Sequence, residues 1–296
     1  MNLNWKIISA VAVALSISPA FAQKPKGYTY LALGDSIAFG FDPTKFPPFS
    51  PTLPTPIDFR GYPEIVAQAK GLQHVNAACP GETSGSFVVY LTPDNGCNSA
   101  GPQGQPPFIK FGLHTSYTES QLSYALNQIR SEKNINLITI SLGGNDLSLL
   151  QMRCADPAQG FGTCVESNLP GVIASFGLNL TKILEDLRQT AKYEGRLILV
   201  TNYSPSADKL FIFAVSRLNK EMIRVGRQFD AEIADGFKAF QSVSKKRGGG
   251  DPCTAGLLVR VSATACDIHP SVDGQNLLAA TVLLAAEKKN DKDDDD

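Results

Sequence analysis

Residues 28–36 read Tyr-Thr-Tyr-Leu-Ala-Leu-Gly-Asp-Ser, a run of apolar and β-forming side chains that ends at a glycine turn. A run this short, bounded by Gly-Asp-Ser, predicts a buried strand over Tyr28–Leu33. Two more unbroken runs follow. Leu-Ile-Thr-Ile-Ser-Leu fills 137–142 and leads into Gly143-Gly144-Asn145-Asp146, and Arg-Leu-Ile-Leu-Val-Thr fills 196–201. Strands that are apolar throughout, instead of alternating, are covered on both faces, as in a parallel sheet. Shorter strands are expected at His74–Ala78 and Ala231–Gly236. Between the strands, apolar residues recur at helical spacing. Helices are expected over Tyr62–Ala69, closed by Gly71, and over Thr118–Glu132, with Leu122, Ala125, Leu126 and Ile129 on one face. Three more are expected over Val172–Ala191, Leu218–Gln228 and Leu277–Glu287. Strand and helix alternate without an internal repeat or a break in composition. One α/β domain with helices on both faces of a parallel sheet is the expectation.

The composition agrees and narrows the function. A chain of 296 residues with 43% hydrophobic and 19% charged side chains can bury a sizeable core. The net charge is −1, but the last six residues, Asp-Lys-Asp-Asp-Asp-Asp, carry −4, so the rest of the chain sums to about +3. That is too little for a nucleic-acid footprint, and no nucleic-acid partner is expected. With three His and no Cys-x-x-Cys, His-Glu-x-x-His, Walker-type or Gly-x-Gly-x-x-Gly pattern, metalloprotease, zinc-finger and P-loop NTPase readings are set aside. Neither a metal nor an organic cofactor is expected.

The ends of the chain read as processing and solvation segments. Lys6, the apolar run Ile7–Ile17 and the Ala20-Phe21-Ala22 pattern predict a signal peptide over 1–22, cleaved after Ala22. The run falls short of the roughly 18 residues of a membrane span, so no stable membrane anchor is expected. The folded domain is placed at 23–288 and an acidic, disordered tail at 289–296. A secreted or periplasmic monomer is expected. Export also changes how the six cysteines are read. They fall as neighbours: Cys79 with Cys97, Cys154 with Cys164, and Cys253 with Cys266. Sequence does not fix their connectivity. An oxidising compartment and easily closed short loops favour three local disulfides.

Four blocks carry the chemistry. Ser36 follows a buried strand, at the sheet edge where open α/β folds place their sites. The Gly-x-Ser-x-Gly elbow is absent, because Ala38 stands at its second glycine. Asn145 leaves the strand at 137–142 on the same edge, a candidate amide donor to an oxyanion. Asn76–Thr83 is another short strand running into Gly81, and Asp267-Ile268-His269-Pro270 precedes the last helix. The segment Phe41–Phe59, with six prolines, is an irregular loop and a candidate wall of a binding cleft.

In this order the blocks resemble the GDSL/SGNH family of esterases and lipases. The resemblance rests on Gly34-Asp35-Ser36, the Gly81 block, Gly143-Gly144-Asn145-Asp146 and Asp267-Ile268-His269-Pro270, and spans about Tyr28 to Ala286. It implies a three-layer α/β/α sandwich around a mostly parallel, flavodoxin-like sheet. By resemblance Ser36 is the nucleophile and His269 the general base. The Ser36 and Gly81 N–H groups and the Asn145 side chain form the oxyanion hole. Three disulfides are similar to the secreted lipase-like branch. The implied activity is that of a secreted serine carboxylic-ester hydrolase, with an acyl-enzyme on Ser36 and a small ester, lipid or acylated carbohydrate as substrate. A silent glycan- or lipid-binding module of the same fold, or a carbohydrate O-deacetylase, are the alternatives. One position departs from the pattern. The family's orienting acid lies three residues before the histidine, where this chain has Cys266. Either Asp267 or a main-chain carbonyl near Cys266 then orients His269, with Asp267 preferred.

Overall fold

The computed structural model describes residues 27–287 except 28, 102–103, 133, 157 and 159. The expected signal peptide and the acidic tail lie outside the described residues. In chain order the elements begin with β1 (Thr29–Gly34), α1 (Ser36–Phe39), α2 (Tyr62–Lys70), β2 (Gln73–Asn76) and α3 (Ser84–Val88). They continue with α4 (Phe108–Phe111), α5 (Gln121–Ser131), β3 (Ile135–Ser141), α6 (Gly144–Arg153), α7 (Phe161–Glu185) and β4 (Arg196–Val200). The last are α8 (Lys209–Arg227), β5 (Glu232–Ala234), α9 (Gly236–Arg247), β6 (Leu258–Arg260), β7 (Cys266–Pro270) and α10 (Val272–Glu287).

Five strands form one parallel sheet in the order β2-β1-β3-β4-β5. Helices α2, α9 and α10 pack together on one side and α5, α7 and α8 on the other, which makes the three layers. The continuous apolar runs now have their reason: Tyr30–Leu33 and Ile138–Leu142 are all buried. The buried Tyr30 and Thr139 hydroxyls inside the sheet are paired, as burial favours. The Tyr30 hydroxyl lies 2.7 Å from Thr139 Oγ1, and Tyr62 Oη reaches the same atom at 3.2 Å. The chain leaves β1 for β2 on one side and sets β3 on the other. This is the switch point at which open α/β sheets form a crevice beyond their carboxyl ends. Register completes the argument. Gly34 pairs with Ser141, and Ser141 with Val200. The residues just beyond, Ser36, Asn145 and Tyr203, therefore share one edge. Gly34 can stand there only as glycine, because at its φ of +133° a Cβ would lie 2.0 Å from the Ser141 carbonyl oxygen.

Some expected elements change extent. The helix expected from Val172 begins at Phe161 and runs through Pro170, an exposed residue that offers no N–H to the Glu166 carbonyl one turn back. It gives way to a π-helical turn at Asp186–Thr190. The helix expected from Leu218 begins nine residues earlier at Lys209, where the Asp208 carboxylate accepts from the N–H groups of Leu210 and Phe211. Helix α9 and the antiparallel β6–β7 pair were not indicated by periodicity. The six cysteines form three local bridges, Cys79–Cys97, Cys154–Cys164 and Cys253–Cys266, with Cα separations of 5.6, 5.5 and 5.7 Å. Among the described residues no helix is long and apolar enough to cross a membrane.

Candidate active site

Ser36 opens α1, and the preceding Asp35 caps it by accepting from the Ile37 N–H at 3.0 Å. From α5, Gln121 braces the turn beneath. Its Oε1 accepts from Gly34 N at 2.5 Å and its Nε2 donates to Gly34 O at 3.0 Å. The Ser36 hydroxyl is almost buried, and His269 Nε2 lies 2.9 Å from it, across 233 residues of chain. Residues two apart on an extended strand point to the same side. In β7 this sets Asp267 beside His269, and Asp267 Oδ1 accepts from Nδ1 of the imidazole and from the His269 main-chain N–H at 3.0 Å. No main-chain carbonyl near Cys266 bonds the ring. Burial alone would raise the Asp267 pKa. Hydrogen bonding to the ring, the imidazole charge, and the main-chain N–H groups of His269 and Ile268 outweigh it and hold the carboxyl below its ordinary value.

Strand β7 belongs to a two-stranded sheet of its own, so its placement over Ser36 needs other ties. Cys266 is bridged to Cys253. The Phe41 ring meets the imidazole edge-on, with centroids 4.7 Å apart. Tyr203, stacked on Phe240 at 4.2 Å, donates its hydroxyl to the Ile268 carbonyl at 2.6 Å, between the two polar residues.

Asn145 lines the same cleft as Ser36, and its amide is held at both ends. Its Nδ2 donates to the Glu82 carbonyl at 3.0 Å and its Oδ1 accepts from Asn95 Nδ2 at 2.8 Å. A primary amide has two N–H donors, so one remains for a ligand. Gly81 precedes that carbonyl, at φ +89°, and a Cβ there would lie 2.5 Å from Asn95 O. The Cys79–Cys97 bridge spans the same two loops. Among the described residues, no acceptor engages the main-chain N–H of Ser36 or Gly81. Three buried acids support this site. Burial pushes the Asp35 carboxyl up to about 7 against the bond from Ile37. It pushes Glu82 up to about 8 against bonds from Ser86 and Gln121. Asp146 is raised by burial too, while its carboxylate accepts from Ser84 N at 3.0 Å and Ser84 Oγ at 2.5 Å.

A cleft of about 110 Å³ opens beside Ser36 and Asn145. Its walls come from α6, the end of β4 and α8. No residue of 41–59 lines it. Phe41, Phe46 and Phe59 instead turn inward and pack with Phe108 and Phe111 into an aromatic cluster behind His269. Ser36, His269, Asp267 and Asn145 are thus brought together, with Gly81 at the edge of the group. Sequence reasoning missed the positioning residues Gln121, Tyr203, Asn95 and Glu82. Only Tyr203 carried a signal, its place just past the carboxyl end of a strand.

A family model described as the GDSL-like Lipase/Acylhydrolase family matches residues 32–277. No curated protein sequence matches the chain. Among solved structures, phospholipase A1 from Streptomyces albidoflavus NA297 superposes with a TM-score of 0.55 at 15% identity, covering 88% of this chain and 99% of that one. The lipase Lip_vut3 from a goat rumen metagenome gives 0.53 at 15%, over 87% and 96%. Axe2, an acetylxylan esterase from Geobacillus stearothermophilus, gives 0.53 at 16%, over 89% and 95%. At these identities the likeness is one of fold.

Proposed function

The chain belongs to the GDSL-like lipase/acylhydrolase family, and from that premise we propose that it is an exported serine carboxylic-ester hydrolase acting through an acyl-enzyme on Ser36. The observation that carries the reading is the line of contacts from Ser36 Oγ to His269 Nε2 at 2.9 Å and from His269 Nδ1 to Asp267. A serine hydroxyl is a weak nucleophile until a neighbouring base takes its proton. His269 Nε2 takes it as Oγ bonds to the ester carbonyl carbon. Asp267 keeps the ring proton on Nδ1 and balances the imidazolium that forms. Negative charge then develops on the former carbonyl oxygen. The free N–H groups of Ser36 and Gly81 and the unused Asn145 N–H are the donors for it. His269 returns the proton to the departing alcohol, and the ester becomes an acyl group on Ser36. Water, deprotonated by the same Nε2, releases the acid.

None of these steps needs a metal or an organic cofactor. Export rests on the signal-peptide pattern at 1–22 with cleavage after Ala22, and three disulfides in one domain support it. The mature domain, 23–288, then acts as a soluble monomer outside the cytoplasm. The test is the pre-steady-state burst of nitrophenol from nitrophenyl esters. The wild-type chain gives one equivalent of burst, and Ser36→Ala gives none. Hydrolysis by Ser36→Ala at the wild-type rate would overturn the assignment.

A further inference from the structure

The cleft beside Ser36 has a shape and a direction that say what enters it. Ser36 and Asn145 line it, and Leu147, Val200, Phe211, Val215 and Ile268 supply its apolar walls. No Lys or Arg lines it, and its one acid, Asp35, is already turned to the Ile37 N–H. The cleft therefore suits an uncharged, apolar group. Direction follows from the reaction. The carbon bound to Ser36 Oγ carries three other arms: the oxyanion, the alcohol oxygen and the acyl chain. The oxyanion points to the Ser36, Gly81 and Asn145 N–H donors. The alcohol oxygen must come within reach of His269 Nε2, and His269 does not line the cleft. The acyl chain is the arm left for it.

Resting on the ester-hydrolase reading above, we infer that this cleft is the acyl-binding site and selects acyl groups of about four to six carbons, the carbonyl included. Size sets the limit. An apolar cavity of about 150 Å³ holds a benzene ring. At about 110 Å³ this one holds roughly four carbons beyond the carbonyl. Phe211 and Val215, from the first two turns of α8, bound that length. An acetyl group leaves most of the cleft empty, and a long chain must leave through its open side into water.

The experiment is kcat/KM across nitrophenyl acetate, butyrate, hexanoate, octanoate and dodecanoate. Each buried methylene is worth roughly a fourfold gain, so the expected profile climbs on the order of fiftyfold from acetyl to its maximum near butyrate and hexanoate. Beyond that it climbs no further. Phe211→Ala should move the maximum to octanoate or longer, and Val215→Phe should move it toward acetate. A wild-type profile that peaks at acetate, or rises steadily to dodecanoate, would overturn the inference while leaving the hydrolase reading intact. So would an unmoved maximum in whichever of the two variants folds. Failure to hydrolyse any of the esters would overturn the hydrolase reading and this inference with it.

Discussion

Replacing Asp267 by asparagine removes a charge and keeps the shape, and the geometry says how the new amide will sit. One oxygen of Asp267 accepts from both the imidazole Nδ1–H and the His269 main-chain N–H. Turning the amide NH₂ inward would set donor against donor at the main chain and leave an unpaired N–H, a cost of about 1–3 kcal/mol. The amide oxygen therefore stays inward, Nδ1 keeps its proton, and Nε2 stays free to accept from Ser36. What is lost is the charge opposite the developing imidazolium. Hydrogen bonds to charged groups contribute about 1.5–3 kcal/mol against about 1 for neutral ones. The acylation rate of Asp267→Asn should then fall by about 2 kcal/mol, on the order of thirtyfold. Asp267→Ala, which leaves the ring N–H without a partner, should fall further. Single-turnover release of nitrophenol measures the step, and near-ultraviolet circular dichroism checks the fold. A loss of about ten-thousandfold in the Asn variant would mean that the wrong tautomer forms and would refute the argument from the shared oxygen. A loss under tenfold would show that Asp267 does not orient His269.

Asn145→Ala should lower kcat by about a hundredfold to a thousandfold with little change in KM, since an oxyanion donor acts mainly in the transition state; a rise in KM alone would place Asn145 in ground-state binding. Cys253→Ser with Cys266→Ser should lower stability by about 2–4 kcal/mol and should lower activity at temperatures where the fold persists, because the bridge anchors β7. Activity that tracks only the folded fraction would make the bridge purely structural. Glu82 sets a pH dependence of stability. Its carboxyl shifts from an ordinary 4.5 to about 8 in the fold, so folding takes up a proton between those values. Stability from this group is full below about pH 4.5 and is lost as pH rises toward 8. Asp35 acts in the same sense up to about 7. Glu82→Gln should flatten the fall of the melting temperature across that window, and an unchanged slope would contradict it.

The strands were legible because burial on both faces leaves an unbroken apolar run, as at 137–142. The candidate site residues were legible because each follows such a run or stands in a compact polar block. Helix α8 was read short because its first two turns, with Leu-Phe-Ile-Phe-Ala-Val at 210–215, show no alternation of apolar and polar residues. The N-terminal part of α7 was lost behind Pro170, which reads as a breaker wherever its N–H would be needed. The supports of the site had no local signature at all. Gln121 braces Gly34 from 87 residues away, and Tyr203 reaches Ile268 from 65 away. The cleft is made where Leu147, Val215 and Ile268 converge, from α6, α8 and β7, which are far apart in the chain.

The central claim is that Ser36 is the activated nucleophile, and a fluorophosphonate probe tests it most directly. After labelling and digestion, mass spectrometry should find the phosphonyl adduct on Ser36 at close to one equivalent, and His269→Ala should abolish it. An adduct on a different serine, or an unlabelled chain that still folds, would contradict the account.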